Sequence, residues 1–207
     1  QHDLEGAVKA YRSLLKQDPH HLEACHLLGM ALTQQEQFDA AEKCLRDAID
    51  NNPNQPSLHN SLANVLLRQN NIIDAIQTLN EALTIDETYA TAHNTLGRCY
   101  YLQGQADLAK QHYQQAIQYD THFPQAHYNL ALLHLQQEQW SQAVEQLQIT
   151  LKLNPDFHQA HRQLAEALLQ LEDYPAAQQT LLHCIESQPE HADNYYNLGI
   201  TYLKQQQ

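Results

Sequence analysis

The sequence predicts an all-α chain built as a single array of repeated helix pairs over residues 1–207. Three observations predict it. Leu28, Leu62, Leu96, Leu130, Leu164 and Leu198 stand 34 residues apart, each followed by a small residue: Gly29, Ala63, Gly97, Ala131, Ala165, Gly199. Ala7, Ala41, Ala75, Ala109, Ala143 and Ala177 keep the same step. Only 5 Gly and 7 Pro interrupt 207 residues rich in Ala, Leu and Gln, which favour helix, while the β-branched Val that favours strands is scarce. Self-similarity at a fixed period of this length marks stacked supersecondary units.

Residues 1–21 read as the second helix of a repeat whose first helix is missing. Leu4, Ala7, Val8, Tyr11, Leu14 and Leu15 recur at three- and four-residue spacing, and Asp18-Pro19 stops the run. The unit 22–55 is the first complete pair. Ala24, Cys25, Leu28 and Leu32 lie on its first helix, and Gln35-Glu36-Gln37 is the connection. Its second helix starts near Phe38, carries Ala41, Leu45, Ala48 and Ile49, and closes at Asn51-Asn52-Pro53. Asp39 falls in that helix's first turn, where the dipole favours a negative charge. The units 56–89, 90–123, 124–157 and 158–191 follow the same plan, with turns at Asn70-Asn71, Gln103-Gly104, Gln137-Glu138 and Glu172-Asp173. Pro175 sits in the first turn of a helix, where its missing N–H costs little. Residues 192–207 supply one more first helix, with Tyr195, Leu198, Gly199 and Tyr202. Pro19, Pro53, Pro155 and Pro189 close units at the same step, but Glu87 and Thr121 fill the two slots between. Asp86 and Asp120 precede those slots, so a turn with a helix-capping carboxylate is expected to continue there, with slightly looser helix ends.

These units resemble the tetratricopeptide repeat. Leu28, Gly29, Ala41, Leu45, Ala48 and Pro53 match its pattern residue by residue, as do Leu96, Gly97, Tyr100, Ala109, Tyr113 and Ala116. The resemblance runs the whole length, and the chain is expected to be a fragment of a longer protein. It implies a right-handed superhelical α-solenoid of antiparallel helix pairs. First helices would line its inner groove and second helices would face outward. It also implies a protein-interaction scaffold that binds a peptide segment of a partner in that groove. Two alternatives stay open. One is a non-catalytic targeting or regulatory arm of a larger glycosyltransferase, methyltransferase or sulfotransferase, and the other is a self-association module.

Charge narrows the partner. Lys plus Arg number 11 against 24 Asp plus Glu, a net charge of −13. Nucleic acid and anionic membrane need a surplus of cations, so neither is expected, and a basic or polar protein partner fits better. The 4 Cys lie too far apart for a CxxC motif, no apolar run would span a bilayer, and no secretory signal is visible. A cytoplasmic chain with reduced thiols follows as the expectation.

No catalytic set stands out. GxSxG, a Gly-rich phosphate loop and HExxH are absent from the sequence. No enzyme activity, cofactor or metal is therefore expected of these residues. His59, His93, His127 and His161 keep the 34-residue step. Equivalent slots sit about 8–10 Å apart, too far for shared zinc ligands at about 2.0–2.1 Å. These rings read as packing residues that each hold one hydrogen bond. His158 and His161 form the better metal pair but show no third ligand.

The expected groove residues are Asn60, Asn64, Asn94, Arg98, Tyr101, Tyr128, Asn129, Arg162 and Glu166, on the first-helix stripe pointing away from the second helix. Asn is a poor helix-interior residue, and its carboxamide both donates and accepts, which suits an extended peptide backbone. Some relatives hold peptide backbone with an Asn ladder; Asn129 and Asn197 fall on that position, whereas Asn60 and Asn94 fall one residue earlier. Glu166 is the acidic residue expected in the groove, and Arg162 lies four before it, spaced to pair with it. Relatives that clamp a chaperone's acidic tail use Lys and Asn where this chain has His26 and Met30, then Asn60 and Asn64. No such tail is expected to bind. The outer faces of the terminal helices are expected to be uncovered and to support self-association.

Overall fold

The computed structural model describes residues 2–18 and 21–205, with the side chains of residues 2 and 3 left aside. Pro19, part of the expected stop after the first helix, lies outside the described residues. Twelve helices and no strand are present among the described residues. They fall into two compact units, Gln1–Gln105 and Ala106–Gln207.

The first unit holds α1 (His2–Gln17), α2 (Leu22–Gln34), α3 (Phe38–Asn51), α4 (Pro56–Arg68), α5 (Ile72–Ile85) and α6 (Ala90–Leu102). Each helix packs on the next in sequence, and the first helices α2, α4 and α6 also touch in series. Its core is the repeating small-and-large set: Ala41, Leu45 and Ala48 on α3, Leu62, Ala63 and Leu66 on α4, Ala75, Leu79 and Ala82 on α5. Close-packed interiors leave few voids, so the alanines set how near the helices approach and the leucines fill what remains.

The second unit holds α7 (Ala106–Tyr119), α8 (Pro124–Gln136), α9 (Trp140–Leu153), α10 (His158–Gln170), α11 (Tyr174–Ser187) and α12 (Ala192–Gln205). Neighbours again pack in series, and α10 touches α12. Its core includes Ala131, Leu147, Leu164, Leu168 and Ala177. Tyr195, Tyr196, Tyr202 and Leu203 of α12 are exposed. The predicted pair 90–123 has its first helix in the first unit and its second helix in the second.

Five turns share one geometry. Glu36, Asn70, Gly104, Glu138 and Glu172 each have φ between 56° and 73°. In each, the residue after the left-handed one donates its N–H back to a carbonyl near the helix end. The distances are 2.9 Å for Gln37 to Leu32, 2.8 Å for Asn71 to Leu66, 2.9 Å for Gln105 to Tyr100, 2.9 Å for Gln139 to His134 and 3.0 Å for Asp173 to Leu168. This is the Schellman arrangement, which satisfies the orphan carbonyls of a helix C-terminus.

The slots without proline end no earlier. α5 and α7 run 14 residues, like α3, α9 and α11. A carboxylate does the work: Asp86 Oδ1 accepts from Thr88 N at 2.9 Å, and Asp120 Oδ1 from His122 N at 2.9 Å. The expected looseness is absent because these Asx turns fix the chain where proline otherwise would.

Candidate peptide-binding grooves

The first helices of the first unit are joined by a polar seam. His26 Nε2 lies 2.6 Å from Ser61 Oγ. One repeat on, Thr95 Oγ1 donates to Asn60 Oδ1 at 2.8 Å. Arg98 Nη2 donates to Asn64 Oδ1 at 2.9 Å, and Asn64 Nδ2 donates to the Asn60 carbonyl at 2.9 Å. The seam takes up Asn60 and Asn64 of the recurring asparagines. Asn60, Asn94 and Asn129 are each only 8% exposed. Asn60 spends its carboxamide oxygen on a neighbouring helix, and buried polar groups require such partners. Asn129 Oδ1 accepts from Gln125 Nε2 at 3.0 Å. Of the first-unit groove residues named from sequence, Asn64, Arg98 and Tyr101 are the more open ones.

Beside this seam, α2 and α4 enclose a groove of about 480 Å³. Met30, 53% exposed, forms part of its wall with Ser57, Asn60, Asn64 and Tyr89. Arg68 stands at its edge as its one formally charged lining residue. Its guanidinium lies 5.4 Å from the Phe38 ring centroid and 3.5 Å from Glu36 Oε1. Burial holds the His26 imidazole below its ordinary pKa, which keeps the ring uncharged at neutral pH. The sequence-named set missed Met30, yet Met30 is one 34-residue step before Asn64. That register was the available signal.

In the second unit, α10 and α12 line a groove of about 510 Å³ that includes Arg162, Glu166, Tyr196, Asn197 and Lys204. Arg162 does not pair with Glu166 as its spacing suggests. Its Nη1 donates to Gln188 Oε1 at 3.0 Å, across the turn that follows α11. That bond leaves the Glu166 carboxylate exposed along the groove. Asp193 also lines it, so Glu166 is not the single acid there. Tyr128 is half-buried, its ring against that of Phe157 with centroids 4.8 Å apart.

The histidine row is structural. His59, His93 and His161 each place Nε2 near a carbonyl six residues earlier, at 3.3 Å (Pro53), 3.0 Å (Glu87) and 2.8 Å (Pro155). His127 Nδ1 meets Gln146 Oε1 at 2.8 Å. Each ring ties its first helix to the preceding turn or to its own second helix. The His161 ring lies against that of His183, centroids 4.3 Å apart. Burial, then these histidine neighbours, push its pKa down against a carbonyl bond that raises it. No group of three His, Cys, Asp or Glu among the described residues is placed to hold a metal ion. No helix of the described residues is long and apolar enough to cross a membrane.

Comparison with known proteins agrees with this architecture. Four tetratricopeptide repeat models match, over residues 1–65, 54–121, 128–183 and 180–207. No protein with a curated record matches. Among solved structures, the Cut9–Hcn1 hetero-tetramer of APC/C contains a chain similar at TM-score 0.80 and 15% identity. The match covers 98% of this chain and 40% of that one, so this chain spans less than half of it. Pseudomonas aeruginosa pilF is similar at TM-score 0.78 and 23% identity, covering 99% of this chain and 88% of that one. YrrB, described as a repeat protein with an unusual peptide-binding site, is similar at TM-score 0.61 and 15% identity, covering 91% and 97%. Identities this low carry the fold alone.

Proposed function

Since the chain belongs to the tetratricopeptide repeat family, we propose that it is a protein-interaction scaffold whose first-helix grooves each take an extended segment of a partner protein. The observation that carries this reading is the groove between α2 and α4. It is concave, walled by an exposed methionine, and flanked by a seam whose polar groups are already paired. A pre-paired seam does not collapse onto itself, and concave sites with apolar walls and a few placed polar groups are where ligands bind. The seam also supports register, since it fixes the spacing between successive first helices.

Groove substitutions test the reading. Proteins recovered with the wild-type chain are compared with those recovered by Met30→Ala/Tyr101→Ala in the first unit and Glu166→Ala in the second. These side chains are at least partly open, so their removal leaves the core intact. The expected result is loss of a reproducible subset of partners at unchanged thermal stability. Unchanged recovery by both variants would move the interaction to the second-helix faces.

A further inference from the structure

Charge is not spread evenly over the first unit. α4 and α6 contain no Asp or Glu. The only carboxylate on its three first helices is Glu23, in the first turn of α2. The other carboxylates of this unit sit on α1, on the second helices and in the turns: Asp39, Glu42, Asp47 and Asp50 on α3, Asp74 and Glu81 on α5, Asp18, Glu36, Asp86 and Glu87 between helices. The cations on the first helices are Arg68 and Arg98. Charges more than about 8 Å apart are largely screened at physiological salt. A partner segment lying between α2 and α4 therefore meets Arg68, the one formally charged residue lining that groove, more than the chain's total of −13.

The two arginines are not equivalent. Arg98 is committed to Asn64 at 2.9 Å. Arg68 meets Glu36 only at 3.5 Å, with the two side chains 51% and 73% exposed, a contact that constrains neither. Met30 lines the same groove as Arg68, and its flexible thioether adapts to the shape of an apolar guest.

We propose that the groove between α2 and α4 binds an acidic–apolar segment of a partner protein, seating a large apolar side chain on Met30 and a neighbouring Asp or Glu on Arg68. The proposal rests on the scaffold reading above. It differs from a clamp on a chain-terminal carboxylate, since one side-chain carboxylate and one apolar anchor suffice. The second unit gives the contrast. Its groove sets Arg162 and Lys204 against Glu166 and Asp193, so it offers no net charge to select an acid.

Selection of a phage-displayed library of random short peptides on the whole chain tests this. The expected binders carry Asp or Glu beside Leu, Met or Phe. Arg68→Glu weakens them about tenfold, the scale of reversing one partly exposed charge contact. Arg68→Lys keeps most of the binding, and Met30→Asp removes it. Arg68 and Met30 are exposed, so all three variants should fold, and a thermal melt confirms it for each. Binders without carboxylates, or indifferent to Arg68→Glu yet lost on Arg98→Ala/Tyr101→Ala, overturn the acidic–apolar assignment and leave the scaffold reading standing. A library that yields no binder sensitive to any first-helix substitution overturns both.

Discussion

A Cβ added at Gly29 would lie 2.7 Å from the Leu45 side chain, which is wholly buried. A Cβ at Gly199, in the same repeat slot, would meet nothing within 4 Å. The same substitution therefore has opposite signs at the two positions. Gly29→Ala should cost about 1–3 kcal/mol through overpacking. Gly199→Ala should gain up to about 1 kcal/mol from helix propensity. Urea unfolding of the two variants measures both, and equal shifts would contradict the packing described. Residue chemistry also sets a pH dependence. His26 and His161 are held below their ordinary pKa, each chiefly by burial. Below about pH 6.5 the unfolded chain therefore takes up protons that the folded chain resists. Stability is full above that value and drains as pH falls through it toward the depressed folded pKa values. Thermal melts between about pH 7 and about pH 5 should show the loss. The drop should be smaller in the His26→Gln/His161→Gln double variant.

Among elements, the five left-handed turns are the most uniform feature and the least uniform in sequence. Gly104 and Asn70 suit positive φ, whereas Glu36, Glu138 and Glu172 do not. The repeat imposes one backbone path on whichever residue falls there, because the helices on either side are fixed by packing. Replacing Glu138 and Glu172 by Gly should stabilise the second unit by about 1 kcal/mol per site. A calorimetric melt that falls instead would mean these glutamates hold contacts outweighing the backbone cost. Helix existence and phase were legible because apolar spacing reports burial directly. The observed helices include ones that start at Leu22, Pro56, Ala90, Pro124, His158 and Ala192. The carboxylate turns at Asp86 and Asp120 were legible from acidic residues standing just before the missing prolines; that α5 and α7 would keep their full length was not, because proline was the expected stop.

Across the molecule, total charge and the charge on the first unit's first helices differ. A net −13 suggests a basic partner, but first-unit carboxylates concentrate outside α4 and α6. Composition carries no information about which face a residue occupies, whereas the repeat register does. That register correctly set Asn60 and Asn94 on first helices. It could not say that Asn60 would be consumed by Thr95, because a hydrogen bond between helices depends on side-chain rotamers rather than on period. The register placed Met30 in the slot equivalent to Asn64 without marking it as a wall; its 53% exposure does that.

The seam has a consequence for how such chains change over generations. One slot is joined by imidazole and hydroxyl at His26–Ser61, and by carboxamide and hydroxyl at Asn60–Thr95. Backbone geometry alone would let any repeat be copied, deleted or reshuffled without notice. Excision of residues 56–89 would set Thr95 opposite His26, a workable match, but Arg98 opposite Met30, which accepts nothing comparable. The side-chain pairs thus act as a spelling of repeat order, legible to neighbouring repeats and blind to the fold they share.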